Sequence, residues 1–304
     1  MSSGQGTKRT FKLNIGNEIP AIGFGTWKSE PQDAYNSVIS ALKAGYRHID
    51  TAFNYGNEGD VGRAIKDSGV PRSEIFLTTK LWSTYHTRVA ENLDLSLQRL
   101  GVDYLDLWLM HWPVAMNPNG NPPLFPLLED GTRDLQRDRH FAATWRDMEA
   151  LQGTGKVRAI GVANFDVHNL EVLRTQCTVV PAVNQVELHP YLQQPKLKQY
   201  CDAKGIHITA YSPIGNGSQD LLNEACLVDI AKKHSCDTGA VMLAWGLQAG
   251  HSVIPKSVKE SRIKSNLEAA NMSLSEEEMK SISTLDKGHR YCNPPWGVTV
   301  FHDE

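Results

Sequence analysis

Four polar residues in the first half of the chain have the chemistry of a proton-donating device: Asp50, Tyr55, Lys80 and His111. A free tyrosine has a pKa of ~10 and is a poor proton donor at neutral pH, but a nearby ammonium group stabilises its phenolate and lowers that pKa. Lys80 supplies such a group, and Asp50 would keep that lysine charged and oriented. We therefore expect Tyr55 to give a proton to a substrate oxygen that His111 holds in place.

Each of these residues also has an ordinary structural interpretation. An aspartate after a strand is typical of a helix cap, a lysine of a solvated loop, and a histidine of a satisfied backbone carbonyl. The joint occurrence of Asp50, Tyr55, Lys80 and His111 near strand ends is what favours one shared site. In a parallel barrel the C-terminal ends of all strands converge on one mouth.

Short runs rich in aliphatic and β-branched residues alternate with segments that carry apolar residues at helical spacing. Eight runs are candidate strands: 21–24, 46–50, 75–80, 104–110, 157–162, 182–187, 206–211 and 252–254. The spacing predicts helices around residues 34–42 and 89–100. Eight βα units predict an α/β fold, a closed (β/α)8 TIM barrel that forms a single domain over residues 1–304.

Three segments do not fit the βα alternation. Residues 11–20 contain a turn between two short apolar stretches and predict a β-hairpin that caps the barrel floor. Residues 113–139 and the tail from Gly288 are irregular, and long loops at the C-terminal face of a barrel build its active site. A doubly wound nucleotide-binding sheet is disfavoured because the candidate glycine turns at 23–28 and 215–220 lack a third glycine.

Composition excludes several classes of partner. A formal net charge of −3 gives no general attraction to nucleic acid or to an anionic membrane. Residues 1–12 are polar, and no stretch approaches the ~18 consecutive apolar residues of a membrane span. The five cysteines are widely spaced and never form Cys-x-x-Cys, which favours a reducing compartment and no metal site. We expect a cytoplasmic monomer that acts on a small molecule.

Several longer motifs occur in order along the chain: GYRHIDTAFNYGNE at 45–58, TKLW at 79–82, DLWLMHWP at 106–113, AVNQVELHP at 182–190, YSP at 211–213 and IPKS at 254–257. Together they resemble the signatures of the aldo-keto reductases over most of the chain. The resemblance implies that Asp50, Tyr55, Lys80 and His111 form a catalytic tetrad. It also implies reduction of aldehydes and some ketones with the hydride of NADPH.

The resemblance further implies a cofactor site of eleven positions: Thr26, Trp27, Asp50, Asn164, Gln185, Tyr211, Ser212, Lys256, Ser257, Arg262 and Asn266. Asn164 and Gln185 would bond the nicotinamide carboxamide, Tyr211 would stack on its ring, and Ser212 would lie near the pyrophosphate. The positions from Lys256 to Asn266 would hold the 2′-phosphate and the adenine. One departure is Ala163, where the family usually carries a serine that also bonds the carboxamide.

Positive charge after the eighth strand supports the phosphate assignment on physical grounds. Lys256, Lys259, Arg262 and Lys264 concentrate cations there, and a guanidinium fork with ammonium groups suits a phosphate of nearly two charges. This predicts a preference for NADPH over NADH. The alternative is a solvated helix face. Ser265, where many members have an acidic residue, puts the adenine contact in doubt.

Aromatic residues indicate the substrate pocket. By the resemblance, Trp27, Trp82, His111, Trp112 and Trp296 surround the substrate, and aromatic walls accept many apolar aldehydes with few directional demands. Two further tryptophans, at positions 108 and 145, are expected in the core. The tail around Trp296 resembles that of fungal glycerol dehydrogenase and aldehyde reductase types, which implies short polyol-related aldehydes as substrates.

Two other functions remain open from the sequence. One is an NADPH-sensing regulatory subunit of the same fold with little turnover, as in the potassium-channel β-subunits that resemble this family. The other is a non-redox barrel such as an isomerase or aldolase. The second gives no explanation for the basic cluster from Lys256 to Lys264.

Overall fold

A ring of eight parallel strands forms the centre of the protein. The structure is a computed structural model that describes residues 9–302. The strands are β3 (Phe24–Gly25), β4 (His48–Asp50), β5 (Phe76–Leu81), β6 (Leu105–Met110), β7 (Val157–Ala163), β8 (Val183–Glu187), β9 (His207–Tyr211) and β10 (Ser252–Val253). Each strand pairs in parallel with the next one along the chain. A parallel bridge between Ile22 and Val253 joins the first strand region to the last and closes the ring.

Helices surround the ring and connect successive strands. They are α1 (Pro31–Ala44), α2 (Glu58–Asp67), α3 (Val89–Leu100), α4 (Phe141–Gln152), α5 (Val167–Gln176), α6 (Pro195–Lys204), α7 (Gln219–Leu222), α8 (Ala225–Lys233), α9 (Thr238–Gln248), α10 (Glu260–Glu268) and α11 (Glu276–Ser283). The predicted (β/α)8 barrel is therefore confirmed, with additional helices in the last two units. No helix in residues 9–302 combines the length and apolar character that a bilayer crossing requires.

Local sequence explains how these helices begin and end. Helix α1 has Pro31 in its first turn, where the missing N–H has no partner to lose. It ends at Gly45, whose φ of 113° lies in a region that residues with a Cβ rarely adopt. Trp108 and Trp145 are fully buried in the layer between strands and helices, as predicted.

A small hairpin closes one end of the ring. Its antiparallel strands are β1 (Thr10–Lys12) and β2 (Glu18–Pro20). Ile19 is fully buried and belongs to the same apolar cluster as Leu107 and Leu109, which point into the barrel. The predicted floor cap is thus confirmed. The prediction of one domain over 1–304 also includes residues 1–8 and 303–304, which lie outside the described residues.

Long irregular segments lie at the opposite end, where the strands terminate. The segment after β6, residues 111–140, has only isolated bridges among its residues, for example between Leu127 and Arg133. The tail from residue 288 to residue 302 contains no helix or strand. Individual backbone bonds and side-chain contacts hold both segments, for example the bond from the N–H of Met116 to the carbonyl oxygen of Ser83.

Histidines at the N-terminal ends of three strands are buried near the floor. Burial lowers the pKa of His48 and of His251 to about 3, and that of His207 to about 4. The folded chain keeps these rings neutral, whereas the unfolded chain protonates them near pH 6.5. The free energy of unfolding should therefore fall as the pH drops below about 6.5.

The variant His251→Gln tests this dependence, because it removes one such ring from a site that is 3% exposed. As the pH falls from 6 to 4, we expect the free energy of unfolding of wild type to decrease by about 1.4 kcal/mol per pH unit more than that of the variant. Urea denaturation at several pH values measures it. The exposed His289→Gln is the control, and a pH-independent difference for His251→Gln would contradict the prediction.

Candidate active site

A buried ion pair lies at the mouth of the barrel. Asp50 ends β4 and Lys80 is on the adjacent strand β5, and both side chains are almost fully buried. Lys80 Nζ donates to Asp50 Oδ1 at 2.6 Å, to the carbonyl oxygen of Thr51 at 2.8 Å and to Tyr55 Oη at 3.4 Å. Burial raises the pKa of Asp50 and lowers that of Lys80, while their close contact opposes both shifts. Since an ammonium has three protons and this one has three acceptors, we assign the charged pair.

Tyr55 ends a short 3-10 turn, Phe53–Tyr55, that follows β4 and brings the phenol over Lys80. The expected proximity of the two side chains is present. The direction of the pKa shift is the opposite of our expectation, because burial and the nearby carboxylate of Asp50 raise the pKa of Tyr55 well above its usual value. The phenol is therefore protonated throughout the neutral range.

His111 follows β6 and completes the predicted tetrad. Its ring centroid is 5.8 Å from that of Tyr55, in an edge-on arrangement. Burial, with a contribution from the charge of Lys80, lowers the pKa of His111 well below its usual value, so the imidazole is neutral. Its Nδ1 atom is buried and has no hydrogen-bond partner in the described part of the chain.

Gln185 and Asn164 surround the ion pair from the next strands. Gln185 Nε2 donates to Asp50 Oδ2 at 2.7 Å, a contact that was not predicted and that supports the carboxylate. Asn164, with a φ of 62°, donates from Nδ2 to the carbonyl oxygen of His111 at 2.9 Å. Its Oδ1 accepts from Tyr211 Oη at 2.8 Å. The two amides therefore bind protein groups in this structure, and Gln185 keeps its amide oxygen for a ligand.

A cleft of about 500 Å³ opens directly above these residues. It brings together most of the predicted site positions: Thr26, Trp27, Asp50, Tyr55, Trp82, His111, Trp112, Asn164, Gln185, Tyr211, Ser212, Lys256, Arg262 and Trp296. Lys80 lies beneath the cleft, in contact with Asp50 and Tyr55. Two predicted positions, Ser257 and Asn266, are not among the residues that line it.

One end of the cleft is cationic. Lys256 and Arg262 line it, as predicted, and Lys28 joins them. Lys28 was not predicted, because a single lysine in a loop after a glycine turn has no distinctive pattern. Lys264 instead pairs with Glu260 at 2.7 Å on the exposed face of α10. The basic run therefore divides into cations that face the cleft and cations that face solvent.

The other end of the cleft has an aromatic wall. The ring centroids of Trp112 and Trp296 are 5.1 Å apart, and those of Trp82 and His111 are 5.3 Å apart. Trp296 is 4% exposed, so the tail contributes a packed side chain to this wall. Three further lining residues, Phe125, Arg133 and Cys292, belong to the two irregular segments that we expected at the active site, although none of them was predicted individually.

The residues present fit a dinucleotide phosphate cofactor better than a metal ion. Asp50 is the one carboxylate among the residues lining the cleft in the described chain, and Lys80 already compensates its charge. Lys28, Lys256 and Arg262 thus present uncompensated positive charge to a phosphate. Within residues 9–302 no group of three or more His, Cys, Asp or Glu side chains has an arrangement that could hold a metal ion.

Comparisons with known proteins agree with this geometry. The family model of the Aldo/keto reductase family matches residues 21–287. Aldehyde reductase YPR1 and glycerol 2-dehydrogenase (NADP(+)), both of Saccharomyces cerevisiae, are 48% and 47% identical to the chain over 298 residues, 95% of each protein. D-galacturonate reductase of Hypocrea jecorina is 45% identical over 95% of this chain and 96% of its own.

Among solved structures, the aldose reductase from Schistosoma japonicum superposes with a TM-score of 0.88 at 36% identity. The match covers 93% of this chain and 94% of that one. The motifs, the closed barrel and the grouped site residues all lead to the same assignment. The chain belongs to the aldo-keto reductase family.

Proposed function

We propose that this protein reduces aldehydes, and some ketones, to alcohols with NADPH, and that Tyr55 is the proton donor. The observation that carries the proposal is the contact of Lys80 Nζ with both Asp50 and Tyr55 at the base of a cleft that is cationic at one end and aromatic at the other. Bound in this cleft, NADPH would supply a hydride to the carbonyl carbon. The chain's own groups would supply the proton and the orientation.

The proton comes from Tyr55 in this scheme. Its raised pKa means that the phenol carries its proton before reaction. As the proton moves to the carbonyl oxygen, negative charge develops on Tyr55 Oη, which already lies 3.4 Å from the ammonium of Lys80. Lys80 thus stabilises the charge that develops in the transition state more than it stabilises the neutral starting state, which is the requirement for catalysis.

His111 orients the carbonyl oxygen in this scheme. Because its pKa is lowered, the ring is neutral and carries one N–H. An unpaired buried acceptor is less costly than an unpaired donor, so the orphaned Nδ1 favours the tautomer with the proton on Nε2. That N–H can donate to a carbonyl oxygen held between His111 and Tyr55. His111 is thus a hydrogen-bond donor without competing for the proton of Tyr55.

The remaining cofactor positions are assigned by the same proposal. Lys256 and Arg262 would hold the 2′-phosphate, with Lys28 near the pyrophosphate, because they line the cationic end of the cleft. Ser212, which also lines the cleft, would lie near the pyrophosphate. Ser257 and Asn266 do not line the cleft itself, and their contact with the cofactor stays a prediction.

The aromatic wall supports aldehydes of varied shape as substrates. Trp82, Trp112 and Trp296 offer apolar area with few polar demands, which suits apolar and amphipathic substrates. The named activities of the relatives, an aldehyde reductase, a glycerol 2-dehydrogenase and a D-galacturonate reductase, add short polyol-related and sugar-derived aldehydes. All five cysteines are free, which supports our proposal of a cytoplasmic location; that the protein is a monomer stays a prediction.

The direct test is turnover of an aldehyde panel, including glyceraldehyde, followed by the loss of nicotinamide absorbance with NADPH. We expect consumption of NADPH with several aldehydes, because Tyr55 and His111 line the same cleft as Lys28, Lys256 and Arg262. Tight NADPH binding without turnover would instead support the regulatory-subunit alternative. The absence of both NADPH binding and turnover would refute the proposal.

Tyr55→Phe tests the proton donor. We expect kcat to fall by at least about 100-fold, the usual contribution of a positioned general acid, while NADPH binding changes by less than about twofold. Steady-state kinetics and quenching of tryptophan fluorescence by NADPH measure the two effects. Trp296→Phe is a matched control that alters the cleft wall without removing a proton. Full activity in Tyr55→Phe contradicts the assigned role.

Arg262→Leu tests the phosphate site. We expect the Kd for NADPH to rise about 10- to 100-fold, because a charge-assisted contact to the 2′-phosphate is lost, with little change for NADH. Fluorescence titration with both cofactors measures the change. Lys264→Leu is the control, since that lysine pairs with Glu260 outside the cleft. Equal losses for NADPH and NADH in Arg262→Leu would place the guanidinium elsewhere on the cofactor.

A further inference from the structure

The tail of the chain crosses the mouth of the barrel without forming regular structure. We call residues 290–302 the strap; none of them belongs to a helix or a strand. Within the strap, Cys292, Pro294 and Trp296 line the cleft. A segment without its own ladder of hydrogen bonds is held in one position only by groups outside it. The groups that hold the strap therefore also fix one wall of the cleft.

Glu187, the last residue of β8, grips the start of the strap. Its Oε1 accepts from the backbone N–H of Tyr291 at 2.7 Å, and its Oε2 accepts from that of Cys292 at 2.9 Å. His189 Nε2 lies 3.0 Å from Oε1. The guanidinium of Arg290 lies 3.9 Å from Oε2. One side chain of β8 thus binds two consecutive amides of the strap.

This carboxylate is fully buried and remains charged. Burial alone would raise its pKa, but the bonds from His189, Tyr291 and Cys292 outweigh that effect and leave the pKa of Glu187 below its usual value. Burying a charge costs stability unless its bonds compensate, and here the bonds go mainly to the strap. The charge of Glu187 is therefore used to hold this segment.

The far end of the strap has its own attachment. Asp166, the N-cap of α5, accepts from the backbone N–H and the ring of His302. Asn169 Nδ2 donates to the carbonyl oxygen of Val300 at 2.9 Å. Between the two attachments Trp296 packs against Trp112 and Trp82. Loss of the Glu187 grip would free the end of the strap nearest to Cys292 and let Trp296 leave the wall.

We propose that Glu187 is a positioning residue that sets the specificity of the cleft: it holds the strap so that Trp296 completes the wall against which large apolar aldehydes bind. This inference rests on the proposed reductase activity. We expect a small aldehyde at the tetrad to lie beside Trp82, whose ring centroid is 5.3 Å from that of His111, without reaching Trp296, so its reduction should not depend on the grip. Glu187 touches neither Tyr55 nor Lys80 through any hydrogen bond in the structure.

Glu187→Gln is the test, because the amide has the same size but points an N–H₂ group at one of the two backbone N–H donors. We expect the KM for 2-naphthaldehyde to rise about tenfold and the kcat/KM for glyceraldehyde to stay within about twofold of wild type. The pH profile with glyceraldehyde should be unchanged. Glu149→Gln is the matched control, since Glu149 also accepts two backbone N–H groups, from Thr178 and Val179, but lies outside the cleft lining.

An equal loss of kcat/KM for both aldehydes in Glu187→Gln, or no loss of kcat/KM for either, would overturn the proposal. Should that variant fail to fold, Glu187→Asp serves the same comparison, because its shorter carboxylate keeps the charge but no longer reaches both backbone N–H groups.

Hydrogen exchange of wild type provides a test that needs no turnover. We expect the amides of Tyr291 and Cys292 to exchange at least about 100-fold more slowly than in a free peptide. Unprotected amides refute the grip, whereas protected amides in a protein without reductase activity refute only the proposed function.

Discussion

The rest of the site depends on a buried ion pair between Lys80 and Asp50. Removing two charges from water costs several kcal/mol each in real proteins, so such a pair persists only where further hydrogen bonds complete it. Here Lys80 reaches three oxygens and Asp50 accepts from Gln185 as well as from Lys80. The pair is thus satisfied without water. That leaves an ammonium with a fixed position beside the phenol of Tyr55, where a mobile surface lysine would be screened.

The closed barrel makes this arrangement available because it brings successive strand ends to one place. Asp50, Lys80 and Gln185 lie on β4, β5 and β8, and 135 positions separate the first from the last. The ring closes through Ile22 and Val253, so no strand end is free to move away from the others. The same geometry places Glu187 two residues beyond Gln185, on the same face of β8 and one step nearer the mouth. One strand therefore supports both the ion pair and the strap.

Much of the fold was predictable from the sequence, because strands and helices each produce a characteristic local spacing of apolar residues. The eight strands follow from local spacing. The closeness of Asp50, Tyr55, Lys80 and His111 follows from their positions near strand ends, and their catalytic role stays a prediction. The features that the sequence did not predict depend on burial and on contacts between residues that are distant along the chain. The pKa of Tyr55 shifts upward because desolvation outweighs the lysine, and the sequence gives no measure of desolvation. The bonds of Glu187 join residues more than 100 positions apart, and no local pattern marks either end.

Net charge was the least informative property, and the cleft explains why. The chain carries −3 overall, yet the described residues lining the cleft include Lys28, Arg133, Lys256 and Arg262 against a single carboxylate, Asp50. Since Asp50 is compensated by Lys80, the low-dielectric walls concentrate a positive potential that the whole-molecule charge conceals. A cleft of this sign favours an anionic dinucleotide before any specific contact forms. Burial, with a contribution from the charge of Lys80, opposes protonation of His111, whose neutral ring the proposed orientation of the carbonyl requires.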